Sequence, residues 1–315
     1  MAMNLVSKFK GGMIGSALGD AIGELAFRYR TAADLDAAID LLDTLIYTDD
    51  TAMAVALAES LLAVGDIEAQ QLGKTFHTHF EREPWRGYGP GPPTIFAHVT
   101  RSRIDYMRAA QALYGGAGSL GNGAAMRIAP VGLFFAGTGE LYEKASASAV
   151  VTHAHPVGVD GAAVQARAIA LAATRTPDQR IDPSPFIDEL IAFAQTTEIR
   201  GKLEQVRALL SIGERPSTAA VQLGLSVAVH ESMPFALYAF LCHSQDYVAC
   251  LSCAVLNGGD RDTMGAMAGA VSGAYLGIDA IPATWRDKLE NRLWIEKLAR
   301  SLAKRHGVRC VAISH

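Results

Sequence analysis

Residues 258–277 read GGDRDTMGAMAGAVSGAYLG, and this stretch decides the architecture. Gly265, Gly269, Gly273 and Gly277 recur at every fourth position, with Ala266, Ala270 and Ala274 beside them. That spacing gathers the small residues on one face of a helix. Each interior glycine costs about 0.8–1 kcal/mol relative to alanine, so the run makes sense where close backbone approach offsets the loss. The expectation is a central helix whose smooth face lies against a second helix. An alanine-rich helix of no special weight is the competing reading.

The turn that opens this helix, Gly258-Gly259-Asp260-Arg261-Asp262-Thr263, carries paired acids and a threonine. Its two glycines permit a turn tight enough for Asp260 and Asp262 to face one centre, with Arg261 expected toward solvent. Thr48-Asp49-Asp50-Thr51 has the same grammar in front of the apolar stretch that runs to residue 64. One carboxylate suffices to cap a helix, whereas two adjacent ones repel. A divalent cation relieves that repulsion, and the threonines Thr48 and Thr263 add neutral oxygen ligands. Such a hard donor set suits Mg²⁺ or Mn²⁺ rather than zinc. Two ordinary N-caps are the alternative.

Outward from these corners the texture is Ala, Leu and Gly in stretches too long for strands. Helices are expected over 8–26, 50–64, 67–82, 95–113, 140–151, 157–173, within 186–212, and over 217–229, 234–240, 262–276 and 283–304. WRGYGPGPPT at 85–94 reads as a loop, with Trp85, Arg86 and Tyr88 rimming a pocket or packing the loop down. VRCVAIS at 308–314 reads as a lone strand or a frayed end. No internal repeat or linker divides the 315 residues. One all-α domain over 1–315 is expected.

Half of the chain is hydrophobic, 19% is charged and the formal net charge is −4. That is a core-rich globular balance. It does not advertise the basic surface that a nucleic-acid polymer requires. Cys242, Cys250, Cys253 and Cys310 read as buried free thiols in a reducing compartment, because Cys250-x-x-Cys253 has no second pair beside it and the surrounding ACLSCAVL (249–256) reads as one face of an apolar helix. The opening MAMNLVSKFKGG is too short and polar for a signal peptide, and residues 264–278 fall short of a bilayer span. A soluble cytoplasmic monomer is expected.

Gly118-Ser119-Leu120-Gly121-Asn122-Gly123 can present converging N–H groups to a diphosphate, with plain turn chemistry as the equal alternative. No Lys-Ser/Thr follows it and no strand precedes it, so it is neither a P-loop nor a dinucleotide fingerprint. Tyr114 can stack on a base or simply pack. His153 and His155 lie in VTHAHP, and His153 is the better placed to touch a ligand. Asp20 and Glu24 share a helical face. Glu24 reads as a candidate acid or base, and Asp20 equally as structural.

In order along the chain, GGMIGSALGDAIG (11–23), YTDDTAMA (47–54), RGYGPG (86–91), GSLGNGAAMR (118–127), THAHPVG (152–158) and the stretch at 258–277 together resemble the ADP-ribosylglycohydrolase, or ADP-ribosyl-acceptor hydrolase, family. The branch most similar removes ADP-ribose from serine and cleaves related O-linked compounds. The resemblance implies an orthogonal all-α bundle with a binuclear Mg²⁺ or Mn²⁺ centre held by Thr48, Asp49, Asp50, Asp260, Asp262 and Thr263. It also implies a diphosphate and ribose cradle at Gly118, Ser119, Leu120, Gly121 and Asn122. His153 would lie beside ribose or phosphate, and Tyr114 would take the adenine-stacking position. The substrate would be an ADP-ribosylated protein or a small ADP-ribose conjugate. One departure stands out. Relatives of the serine-directed branch usually carry glutamate seven residues after the aspartate matching Asp20, where this chain has Phe27. Glu24 stands three positions earlier, displaced by about 4.5 Å along a helix.

The expected reaction is hydrolysis of the anomeric bond between ADP-ribose and a side chain, with Asp49 or Asp50 orienting or deprotonating water and protonating the departing oxygen. A free O-linked metabolite as substrate, a binding module without turnover, and a helical protein with two capped corners are the rival readings.

Overall fold

The computed structural model describes residues 5–178 and 180–313, with side chains through residue 308. Those residues form helices α1 (Leu5–Ala26), α2 (Ala32–Leu41), α3 (Asp49–Val64), α4 (Ala69–Arg82), α5 (Gly91–Ser102) and α6 (Tyr106–Gln111). There follow α7 (Leu113–Gly116), α8 (Ala129–Phe134), α9 (Leu141–Ala149), α10 (Pro156–Thr174), α11 (Pro183–Phe193) and α12 (Thr197–Ser211). The last are α13 (Pro216–Leu223), α14 (Val229–Cys242), α15 (Tyr247–Leu256), α16 (Arg261–Leu276), α17 (Ala283–Lys288) and α18 (Arg292–Ile313). Among the described residues there is no strand; isolated bridges join Leu45 to Leu289 and Gly121 to Ala228. The fold is all-α.

α16 is buried from Thr263 to Tyr275. Its partner is α1, which runs antiparallel to it. A methyl group on Gly11, Gly15 or Gly19 would overlap the carbonyl oxygen of Gly273, Gly269 or Gly265, and the reverse substitutions would overlap α1. The two backbones therefore touch with nothing between them, and the glycine cost expected from the sequence is what this approach requires. At the end of the seam, a Cβ on Gly23 would come within 2.5 Å of the Arg261 carbonyl oxygen and the Asp262 Cα. The seam thus sets where the first turn of α16, with its acids, lies relative to α1. α10, α14 and α15 pack on the outer sides of α16.

Several expectations need correction. The Gly-Pro run is not loop to residue 94, because α5 starts at Gly91 with prolines in its first turn, where the missing N–H costs no helical bond. The helix expected over 95–113 breaks after α5, where Arg103 takes φ 52°. Pro234 lies inside α14 instead of starting it. The tail is the last part of α18 through Ile313, not a strand, since the helix that buries Ile295, Leu298 and Leu302 simply continues. α2 and α8 have no counterpart among the expected helices. Of the thiols, Cys250 and Cys253 are buried and Cys242 is half-buried, all unpaired; Cys310 lies outside the described side chains. No helix among the described residues is long and apolar enough to cross a membrane.

Candidate active site

The two acid corners, some two hundred residues apart in sequence, meet. Asp49 and Asp50 in the first turn of α3, and Asp260, Asp262 and Thr263 at the start of α16, line one cleft of about 240 Å³. Its far wall is Ser119, Gly121, Asn122 and Gly123, with Tyr114, Met126 and His153 beside them. Gly87, Gly89 and Pro90 from the loop before α5, and Gly91 and Pro92 from its first turn, contribute the remaining edge.

Asp20 organises the α3 corner from below. Fully buried on α1, it accepts from the backbone N–H groups of Thr48 and Thr51, each at 3.0 Å, and from the hydroxyls of Thr48 at 2.8 Å and Thr51 at 2.6 Å. The capping of α3 is therefore done by an acid on another helix. Asp49 and Asp50 are released from that task, which removes the simplest structural explanation for them. Thr48 has its hydroxyl committed to Asp20 and lies at the edge of the arrangement, 3.3 Å from Asp50 Oδ2.

Across the cleft, Asn122 Nδ2 donates to Asp260 Oδ2 at 2.6 Å and to the Ser232 hydroxyl at 3.0 Å. The Asn122 N–H donates to the Val227 carbonyl, the Val229 N–H to the Leu120 carbonyl and the Asp260 N–H to the Leu225 carbonyl. The glycine-rich loop and the α16 corner are thus tied to one connecting segment, 225–229. Gly118 and Leu120 face an adjoining cavity of about 420 Å³ that shares Tyr114, Ser119, Gly121 and Val227 with the cleft. Tyr114 is largely exposed and takes the left-handed conformation with φ 52°, uncommon for a tyrosine.

Electrostatically the cleft is unsettled. Burial, then the neighbouring Asp20 charge, pushes the Asp49 carboxyl up to about 7. Burial, then Asp260, pushes Asp262 to about 8. Asp50, wholly buried among these acids, is raised well above the carboxylate range, first by burial and then by Asp20 and Asp262. Asp20 rises to about 6 through burial, against the pull of its four threonine donors. Among the described residues, no ion pair reaches Asp49, Asp50, Asp260 or Asp262. Asp50 Oδ2 lies 3.3–3.5 Å from the Thr48 and Thr263 hydroxyls, while its Oδ1 is buried with no partner at all. An orphaned buried carboxylate oxygen calls for a ligand. Hard oxygen donors gathered around it fit Mg²⁺ or Mn²⁺. The side chains are not drawn into a ready cage: among the described residues no three His, Cys, Asp or Glu groups already stand close enough to hold a metal ion by themselves.

Glu24 does not join the cleft. It is exposed, where the last turn of α1 emerges from the bundle, and Phe27 just beyond it is 40% exposed. Arg261 also departs from expectation: its side chain is buried and donates to the Val255 carbonyl instead of facing solvent. Arg86 is buried, stacked on Tyr47 and paired with Glu83 and Glu290, so it holds the Gly-Pro loop down. Two residues inside the quoted motifs GSLGNGAAMR and THAHPVG are given no role by sequence reasoning. Arg127 is wholly buried and its charge bears on Asp49; Thr152 links it to His153. The one signal is a lone arginine in the apolar run GAAMRIAPVGLFF.

Fold and cleft together define an all-helical protein with a buried carboxylate site opposite a glycine-rich loop. The sequence pattern of the ADP-ribosylglycohydrolase family matches residues 1–312, and the chain belongs to that family of hydrolases. It is 31% identical to the ADP-ribosylhydrolase ARH3 of Bos taurus, covering 96% of this chain and 93% of that protein. It is equally 31% identical to ADP-ribosylhydrolase ARH3 of Homo sapiens, covering 96% and 94%. Among solved structures, one described as an ADP-ribosylglycohydrolase-related protein complex superposes with a TM-score of 0.72 over 96% of this chain and 99% of that one, at 23% identity. That last likeness speaks for the fold.

Proposed function

We propose that this chain hydrolyses the ribosyl bond that links ADP-ribose to a serine or arginine side chain, and that it does so with Mg²⁺ or Mn²⁺. The observation that carries the proposal is the cleft itself, where two distant acid corners converge on one unpaired buried oxygen, Asp50 Oδ1, opposite the cradle at 118–123. Thr48, Asp49, Asp50, Asp260, Asp262 and Thr263 would hold the metal, as a binuclear centre in the family's manner. Bound there, it would supply positive charge to fix ribose hydroxyls and water and to lower the pKa of that water.

The remaining work belongs to the chain. Ser119, Gly121 and Asn122 hold the diphosphate and its ribose, and Tyr114 carries the adenine in the adjoining cavity. The ribosyl centre then lies toward the acids, where negative charge favours an oxocarbenium-like transition state. Asp49, on the cleft wall, accepts the proton of the attacking water and returns one to the departing oxygen. Asp50, more deeply buried, positions.

A second reading is favoured by one observation. Neither Glu24 nor Phe27 brings a carboxylate to the cleft, so a free O-linked ADP-ribose metabolite, or ADP-ribose bound without turnover, stands as the alternative. Turnover of serine-linked, arginine-linked and small O-linked ADP-ribose, each with and without Mg²⁺ or Mn²⁺, separates these. Release of ADP-ribose from a side chain only with metal, lost in Asp260→Asn while the fold is kept, is the expected result. Binding without release on every substrate overturns the enzymatic proposal.

A further inference from the structure

The hydrogen bonds behind the cradle determine which nitrogen of His153 carries its proton. Arg127 donates from its guanidinium to Thr152 Oγ1 at 2.7 Å and to the Ser148 carbonyl at 3.2 Å, with its face over the Phe76 ring. Thr152 Oγ1 in turn lies 2.8 Å from His153 Nδ1. Arg127, Thr152 and His153 are all buried, so a polar hydrogen left without a protein acceptor is costly there, and the Arg127 Nε–H already lacks one. A guanidinium has no lone pair to offer, so the threonine oxygen accepts from Arg127 and its single hydrogen must go elsewhere. Among the described residues the one acceptor in reach is His153 Nδ1. Were Nδ1 protonated instead, the Thr152 hydrogen would be buried without a partner, which is unfavourable.

We propose that Arg127 and Thr152 are positioning residues that hold His153 as a neutral imidazole with its hydrogen on Nε2, aimed as a fixed donor at an acceptor oxygen of the bound ADP-ribose. The ligand half of this inference rests on the proposed function. Nε2 is the outward atom: a Cβ on Gly123 would come within 2.9 Å of it and one on Gly121 within 3.4 Å, so the two glycines are what keeps the space before it open. His153 lines the cleft beside them. Consistently, burial and then the Arg127 charge hold the imidazole far below its ordinary range, at about 3, so it does not serve as an acid at neutral pH.

Nitrogen-15 spectra of the imidazole rings in the full chain, with the His153 signals assigned by their loss in His153→Asn, read the tautomer directly. A pyridine-type Nδ1 and a pyrrole-type Nε2 in the unsubstituted protein, scrambled in Thr152→Val and regained in Thr152→Ser, is the expected result. A pyrrole-type Nδ1 in the unsubstituted protein overturns the inference. A purely structural threonine would lower stability without moving these shifts. ADP-ribose titrated in Mg²⁺ buffer should bind Thr152→Val about tenfold more weakly, the loss of one oriented hydrogen bond, and Thr152→Ser normally. Unchanged affinity in Thr152→Val overturns the ligand half. The spectra need no ligand, so failure of the unsubstituted protein to bind ADP-ribose refutes the functional reading and not the tautomer. Should Thr152→Val not fold, the spectra of the unsubstituted protein and of Thr152→Ser decide.

Discussion

The seam between α1 and α16 and the cleft at its end share α16, yet they obey opposite rules. Along the seam every local penalty is compensated: glycines that weaken each helix let the backbones meet. At the cleft, three raised carboxyls crowd together and one buried oxygen has no partner. A protein tolerates such frustration where it is used, and supports it from a region that has none. Asp20 joins the two, since it sits on α1 next to Gly19 and holds the Thr48 corner.

The comparison breaks first if the acids turn out to be structural. Asp50→Asn keeps the shape and removes the charge. Turnover should fall by about 10³-fold or more, comparable with losing a principal electrostatic contact to the transition state. The same variant should leave the metal-free protein as stable as before or more so, because a buried carboxyl that must take up a proton on folding is gone. Steady-state kinetics and thermal unfolding without metal check both. A drop in stability with normal turnover would make Asp50 a cap after all.

The seam makes the reverse demand. Gly19→Ala adds one methyl group at a carbonyl that cannot move without carrying α16 with it. About 3 kcal/mol of stability should be lost, the upper part of the range for overpacking a close contact. Denaturant unfolding of Gly19→Ala beside Gly201→Ala, whose added methyl meets nothing within 4 Å, isolates the packing effect from helix propensity.

The pH dependence sharpens the contrast further. Asp262 titrates at about 8 in the folded chain against a usual value of 3.8. Between those values the native state holds a proton that the unfolded state has released, so stability falls as pH rises from about 4 to about 8. Asp262→Asn should flatten that decline in the metal-free protein by up to about 1.4 kcal/mol per pH unit. Unfolding midpoints across this window, with metal chelated, give the slope; identical slopes would remove the electrostatic account.

These two regions also differ in how far they are legible in the sequence. The seam is a local signal, glycine at every fourth position, and that spacing alone marks the central helix. The Asp-Asp-Thr corners are visible as unusual acids at helix starts. Their common setting is less so, because what frees Asp49 and Asp50 from capping is Asp20, about thirty positions away. Asp160 makes the same point: it too is wholly buried, accepting from the N–H groups of Gln195 and Thr196, and no local pattern marks it. Arg127 and Thr152 are hidden for the same reason, since each acts through a neighbour that folding supplies. VRCVAIS misleads because alternation over seven residues is shorter than the helix that it ends.

The smallest effect concerns the residue that sequence reasoning places in the cleft and the structure does not. Glu24 follows Gly23, the last seam glycine, and spacing alone sets it on the same face as Asp20. A helical face is only as buried as what covers it, however, and α1 leaves the bundle within one turn: Glu24 is exposed, as are residues 27 to 34. An exposed carboxylate outside the cleft neither reaches a substrate bound there nor excludes water from its work. Glu24→Gln should therefore change turnover by no more than about twofold, and stability by no more than about 0.5 kcal/mol, as for a surface substitution. A loss of a hundredfold would mean that the end of α1 folds inward over the bound substrate, and the boundary drawn here between seam and cleft would have to include it.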